Sequence, residues 1–143
     1  MDGLKAFART FWIGGMWAIG VLVTPLLFNA LDRTTAGMVA GRLFQSIAWV
    51  GLVCGTFLLI HAIWHEGLRA MKSAGFWLVF GMLLCTVINQ FAVSPIIANL
   101  KQHMDQAAMG LFGGGFGTWH AISSLIYLVQ SLMGLFYILR REN

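Results

Sequence analysis

Four stretches of the chain are each long and apolar enough to cross a lipid bilayer as a helix. Such a span needs about 20 mostly apolar residues, because every backbone polar group must be bonded inside the segment. The stretches run over about 7–31, 44–64, 75–98 and 117–139, and none carries a charged residue in its central part. They are too long for membrane strands and lack period-two alternation. The expected fold is therefore an all-α, integral membrane four-helix bundle that uses residues 1–143 as one membrane domain. Composition agrees, with 59% apolar and 10% charged residues, where an ordinary soluble domain carries about 25% charged. A disordered chain and most soluble single-core folds are excluded.

The nine Lys and Arg give a net charge of +4 but form no basic stripe, so no nucleic-acid partner is expected. They mark topology instead. Lys5, Arg9, Arg69, Lys72, Arg140 and Arg141 flank one face, whereas Arg33, Arg42 and Lys101 flank the other. The excess places both termini in the cytoplasm. Trp12, Trp64 and Trp77 are expected at the inner interface and Trp119 at the outer one. The first apolar run exceeds a signal-peptide core of about 7–15 residues and lacks a small-residue cleavage site, so it reads as a retained anchor.

The two halves of the chain resemble each other. Val23-Thr24-Pro25-Leu26-Leu27-Phe28-Asn29 and Val93-Ser94-Pro95-Ile96-Ile97-Ala98-Asn99 lie 70 residues apart, as do Trp49 and Trp119. Two tandem helical hairpins forming a pseudo-repeat are expected. Pro25 and Pro95 should loosen the first and third helices near the outer face, with the Thr24 and Ser94 hydroxyls as partners for freed carbonyls. Asp32 or Thr34 can cap a helix through Ala36, Val39, Ala40, Leu43 and Phe44 that continues into the second span. After the third span, Lys101, His103 and Asp105 precede Gly113-Gly114-Gly115, a hinge rather than a phosphate loop, because no Lys-Ser/Thr follows.

The fourth span carries the most polar content. His120, Ser124, Tyr127, Ser131 and Gly134 recur at three- and four-residue steps, with Ser123 and Gln130 beside them. At 1.5 Å per residue, Asn89 and Gln90 of the third span fall about level with Ser124 and Tyr127. Polar side chains on a span turn toward the bundle. His120, Asn89, Ser123, Ser124, Tyr127 and Gln90 therefore form the candidate ligand-binding cluster. The same groups also suit a second role, as hydrogen-bonded glue between helices. His120, the one imidazole among them, is the first candidate for function.

Other constellations are sparser. His61 and His65 stand four apart at the cytoplasmic end of the second span. That spacing suits either a pair of imidazoles on one metal or a pair at headgroup level, and the Glu of a metalloprotease motif is missing. Cys54 and Cys85 lie inside apolar runs, with Met82 near Cys85. They act as small apolar residues or as soft ligands. His120, His61, His65, Cys54 and Cys85 complete the metal candidates. Gly51-x-x-x-Gly55, like Gly14 and Gly15, permits close helix approach within the bundle or a dimer. Asp2, Asp32, Glu66, Asp105 and Glu142 all lie outside the spans, so no catalytic constellation assembles and no enzyme is expected.

Several motifs together resemble the transmembrane protein 205-like family, whose bacterial form is domain of unknown function 4149. They are Gly14-Gly15-Met16-Trp17, Pro25-Leu26-Leu27-Phe28, Ala40-Gly41-Arg42-Leu43-Phe44, Asn89 with Pro95, and Trp119-His120-Ala121-Ile122-Ser123. The likeness covers about residues 7–139 and implies a four-helix membrane protein of unassigned activity, distantly similar to copper-resistance D-like membrane proteins. It implies metal or haem handling as a test, although the first span offers no axial His and His61 and His120 lie toward opposite faces. The expectation is a multi-pass protein of the bacterial inner membrane, its cofactors unknown. It binds or transports a small solute or metal ion at the polar cluster near the outer leaflet. The alternatives are an accessory subunit docking another membrane protein or forming a homo-oligomer, and a haem- or quinone-associated redox protein.

Overall fold

The computed structural model describes residues 2–102 and 116–140. Helix α1 (Asp2–Trp17) passes through a π-helical turn, Ala18–Val23, into α2 (Thr24–Ala30). Helix α3 (Arg33–Glu66) follows, then a 3-10 segment, Gly67–Lys72. Helix α4 (Ala74–Val87) passes through a second π turn, Ile88–Val93, into α5 (Ser94–Gln102), and α6 (Phe116–Leu139) closes the described chain. Four continuous helices in it are long and apolar enough to cross a membrane: Gly3–Ala30, Thr35–Lys72, Ala74–Asn99 and Thr118–Leu139. His103, Asp105 and Gly113-Gly114-Gly115 lie outside the described residues.

Local chemistry sets the boundaries. Asp32 is the N-cap of α3, its carboxylate accepting the Thr35 N–H at 3.0 Å. The helix then runs without a break through Ala36, Val39, Ala40, Leu43 and Phe44 into the second span, the continuation expected of it. It ends at Gly67, whose φ of 58° is the one positive value among the described residues, a conformation that suits glycine. Ser73 caps α4 by accepting the Phe76 N–H at 3.2 Å, and its hydroxyl donates to the Ala70 carbonyl at 2.9 Å. Ser73→Ala should therefore cost about 1 kcal/mol of unfolding free energy, read by denaturant titration of the purified protein.

Both prolines sit directly after a π turn, and the two turns stand 70 residues apart. Proline cannot donate an N–H and crowds the preceding turn; widening that turn relieves both problems. In the first helix, the backbone N–H and the hydroxyl of Thr24 both donate to the Ile19 carbonyl, the hydroxyl at 2.8 Å. In the third, the Ser94 N–H donates to the Asn89 carbonyl, the equivalent position. The expected hydroxyl bond forms at Thr24; no such bond is made by Ser94.

The best-packed part of the bundle lies in the half nearer the termini. Trp12, Ile13, Met16 and Met82 are its largest fully buried side chains, joined by Ala8, Ile47, Leu58 and Val79. Trp12 is covered by its neighbours in the bundle, being only 1% exposed. Its indole lies over Gly51 and Gly55 of α3, where a Cβ on Gly55 would stand 3.0 Å from the ring. This glycine pair thus serves packing inside the chain. Gly15 admits Ile47 in the same way, while Gly14 faces open space. Much of the outer surface is apolar, with Val53, Leu125, Phe136 and Leu139 more than half exposed. In water such a surface would associate; in hydrocarbon it meets a solvent of its own kind.

Candidate functional site

Helix packing changes along the bundle. Near the termini, α1 packs on α3 and α6, and α4 packs on α3 and α6. In the other half, α2 packs on α3 and α5 on α6, but α2 with α6 and α3 with α5 make no substantial contact. The two hairpins therefore part above the π turns. Between them lies a recess of about 750 Å³, the size of pockets that hold drug-sized ligands.

Every member of the cluster expected from sequence lines this recess: His120, Asn89, Ser123, Ser124, Tyr127 and Gln90. The Ser123 hydroxyl donates to Asn89 Oδ1 at 2.7 Å, joining the third and fourth helices. Ser124 donates to the His120 carbonyl at 2.9 Å on its own helix. Tyr127 crosses the bundle, donating to the Met16 carbonyl at 2.6 Å at the start of the first π turn. Its ring meets Phe44 edge-on with centroids 4.8 Å apart, and Gly20 leaves it room, since a Cβ there would lie 3.0 Å from Cε1.

The floor contains groups that belonged to no expected site. The Gln130 amide donates to Thr86 Oγ1 at 2.9 Å and approaches Met16 Sδ at 3.2 Å, while the Thr86 hydroxyl donates to the Met82 carbonyl at 3.0 Å. Gln130 and Thr86 are buried, which suits groups that satisfy one another. Thr86 stands four residues after Met82 and three before Asn89, so helical spacing alone puts it on the recess face. Gln45, Gly37 and Gly41 of α3 also line the recess. The Asn89 amide nitrogen and the Gln45 and Gln90 amides make no hydrogen bond within the described residues. The described lining holds no Lys, Arg, Asp or Glu. Ser131 and Gly134, at the termini end of the stripe, serve packing: the Ser131 carbonyl accepts from Trp17 Nε1 at 3.2 Å, and Gly134 meets Ile13 and Met82.

The metal candidates are not brought together. His61 and His65 lie with ring centroids 4.3 Å apart, and His61 is only 8% exposed, its Nε2 without a partner among the described residues. Cys54 and Cys85 are free, partly buried thiols. The described residues contain no group of three His, Cys, Asp or Glu placed to hold a metal ion. His120 belongs to the recess and His61 does not.

Fold and site together define a multi-pass helical membrane protein with an uncharged, hydrogen-bonding recess between its two hairpins. The chain belongs to the family described as Domain of unknown function (DUF4149), whose model matches residues 7–106. That stretch holds the first three helices, Asn89 and both proline segments; the Trp119–Ser123 motif lies beyond it. No curated protein and no solved structure matches the chain.

Proposed function

We propose that the protein holds a small uncharged solute in the recess, from the outer side of a bacterial inner membrane, with both termini in the cytoplasm. The observation that carries this reading is the convergence of His120, Asn89, Gln90, Ser123, Ser124 and Tyr127, drawn from two helices, on one recess. Polar groups that served only as glue would be consumed by one another, yet among the described residues the Asn89 nitrogen and the Gln45 and Gln90 amides have no hydrogen-bond partner. A solute fits this chemistry better than a metal ion, because the lining supplies amides, hydroxyls and one imidazole but no thiolate or carboxylate. The Lys and Arg excess beside the termini sets the orientation, six against three. The π turns at a 70-residue offset, each followed by Thr/Ser-Pro, support a duplicated hairpin. Kinship with the transmembrane protein 205-like and copper-resistance D-like proteins rests on the motifs quoted above.

The test is thiol labelling of intact cells in a background with Cys54→Ser and Cys85→Ser. A thiol must ionise in water to react, so Ser124→Cys in the recess should label with a membrane-impermeant reagent about tenfold faster than Leu128→Cys on the lipid-exposed surface. Equal, negligible labelling at both positions would sink the reading; labelling of Ser124→Cys from the cytoplasmic side alone would reverse the orientation.

A further inference from the structure

Resting on that reading, we propose that the natural occupant is an uncharged single-chain amphiphile, with a hydroxyl- or carbonyl-bearing head, taken laterally from the bilayer. Three observations lead there. First, the recess is bounded by two seams, α2 against α6 and α3 against α5, where the helices make no substantial contact. Both seams lie between membrane-spanning helices, so they open toward lipid chains as well as toward water. The Trp49–Phe91 edge contact, at 6.2 Å between centroids, bridges α3 and the second π turn beside the recess floor. Second, the wall offers amide groups at Asn89, Gln45 and Gln90 that find no partner among the described residues. Third, the described lining holds no Lys, Arg, Asp or Glu. A phosphate, carboxylate or ammonium head would lose water there with only the imidazole of His120 to set against it, a large cost in a low-dielectric site. A neutral head satisfies the amides, and its chain, lying in a seam, keeps the apolar surroundings that it had in the membrane.

Gly41 gives the test a clean handle. It lines the recess, and a Cβ built on it meets nothing within 4 Å. Gly41→Phe therefore brings bulk to the recess from a Cβ that meets nothing, and Gly14→Phe adds the same bulk from an equally open position elsewhere. The full chain in phosphatidylcholine nanodiscs is titrated with monoolein, oleate or glycerol, and adducts are counted by native mass spectrometry. Thermal unfolding confirms that both variants remain folded. The expected result is a one-to-one monoolein adduct, at least about tenfold tighter than either other probe, lost in Gly41→Phe and kept in Gly14→Phe. Asn89→Leu should weaken it by about tenfold, the worth of one hydrogen-bonding head contact. Oleate binding as tightly as monoolein would overturn the uncharged head. Glycerol binding without monoolein would overturn the amphiphile and leave the solute reading standing. Monoolein binding unchanged by Gly41→Phe would overturn the site, and binding of none of the three would overturn the proposal.

Discussion

Trp12→Ala is expected to lower the unfolding free energy by about 3 kcal/mol, measured by titrating the purified protein from mild detergent into dodecyl sulfate. The value is the lower end of the usual cost of truncating a buried aromatic ring. In lipid the transfer contribution is largely absent, because the unfolded helix still lies in hydrocarbon, while the cavity and the lost dispersion contacts remain. Trp12 is 1% exposed, and its indole N–H has no acceptor. Shape, not hydrogen bonding, keeps it there, so Trp12→Phe should retain most of the stability. The hole that receives the ring is made by Gly51 and Gly55. Gly51→Leu alone should cost about 1–3 kcal/mol by overpacking. Combined with Trp12→Ala, the leucine occupies the emptied space, and the double variant should be at least about 1 kcal/mol more stable than the sum of the singles implies. Strict additivity would mean that ring and glycine are not in contact.

Trp12 shows where sequence reasoning stops. A belt Trp and a core Trp have the same local surroundings, an aromatic residue near one end of an apolar run. What distinguishes Trp12 is a pair of glycines in another helix, 39 and 43 residues further along. The spans were legible because the bilayer imposes a length on any helix that crosses it. The Asp32 cap was legible because capping is local chemistry. The polar part of the lining on the fourth span was legible as well, since residues three and four apart on a span share a face, and depth alone set Asn89 level with Ser124 and Tyr127, next to its partner Ser123. Two features were not. Proline demands relief in the turn before it, but whether a helix kinks or widens into a π turn depends on partners such as the Tyr127 hydroxyl on the Met16 carbonyl. The recess itself exists because two hairpins separate above those turns, a matter of helix tilt that no residue pattern encodes. The burial of His61 is illegible in the same way, because it depends on what packs against the side chain rather than on the residue pattern.

The same substitution at two glycines of this recess should move stability in opposite directions. At Gly20, inside the first π turn, a Cβ would stand 3.0 Å from Tyr127 Cε1, and the remaining carbons of a leucine would press further into the ring. Tyr127 has little freedom to retreat, held by its 2.6 Å bond to the Met16 carbonyl and by Phe44 against its face. Gly20→Leu must therefore displace the ring, break that bond and leave a carbonyl of the widened turn without its partner. A loss of about 2 kcal/mol is expected, within the usual cost of overpacking. At Gly41 nothing lies within 4 Å, so Gly41→Leu keeps every contact and removes the conformational penalty of a mid-helix glycine. A gain of about 0.5–1 kcal/mol is expected there. Detergent titration of the two variants side by side separates these outcomes without any knowledge of the ligand. Equal destabilisation by both would mean that the hairpins meet at Gly41, closing the recess. Equal tolerance would mean that Tyr127 is not anchored on the π turn, and the floor on which an occupant rests would be lost with it.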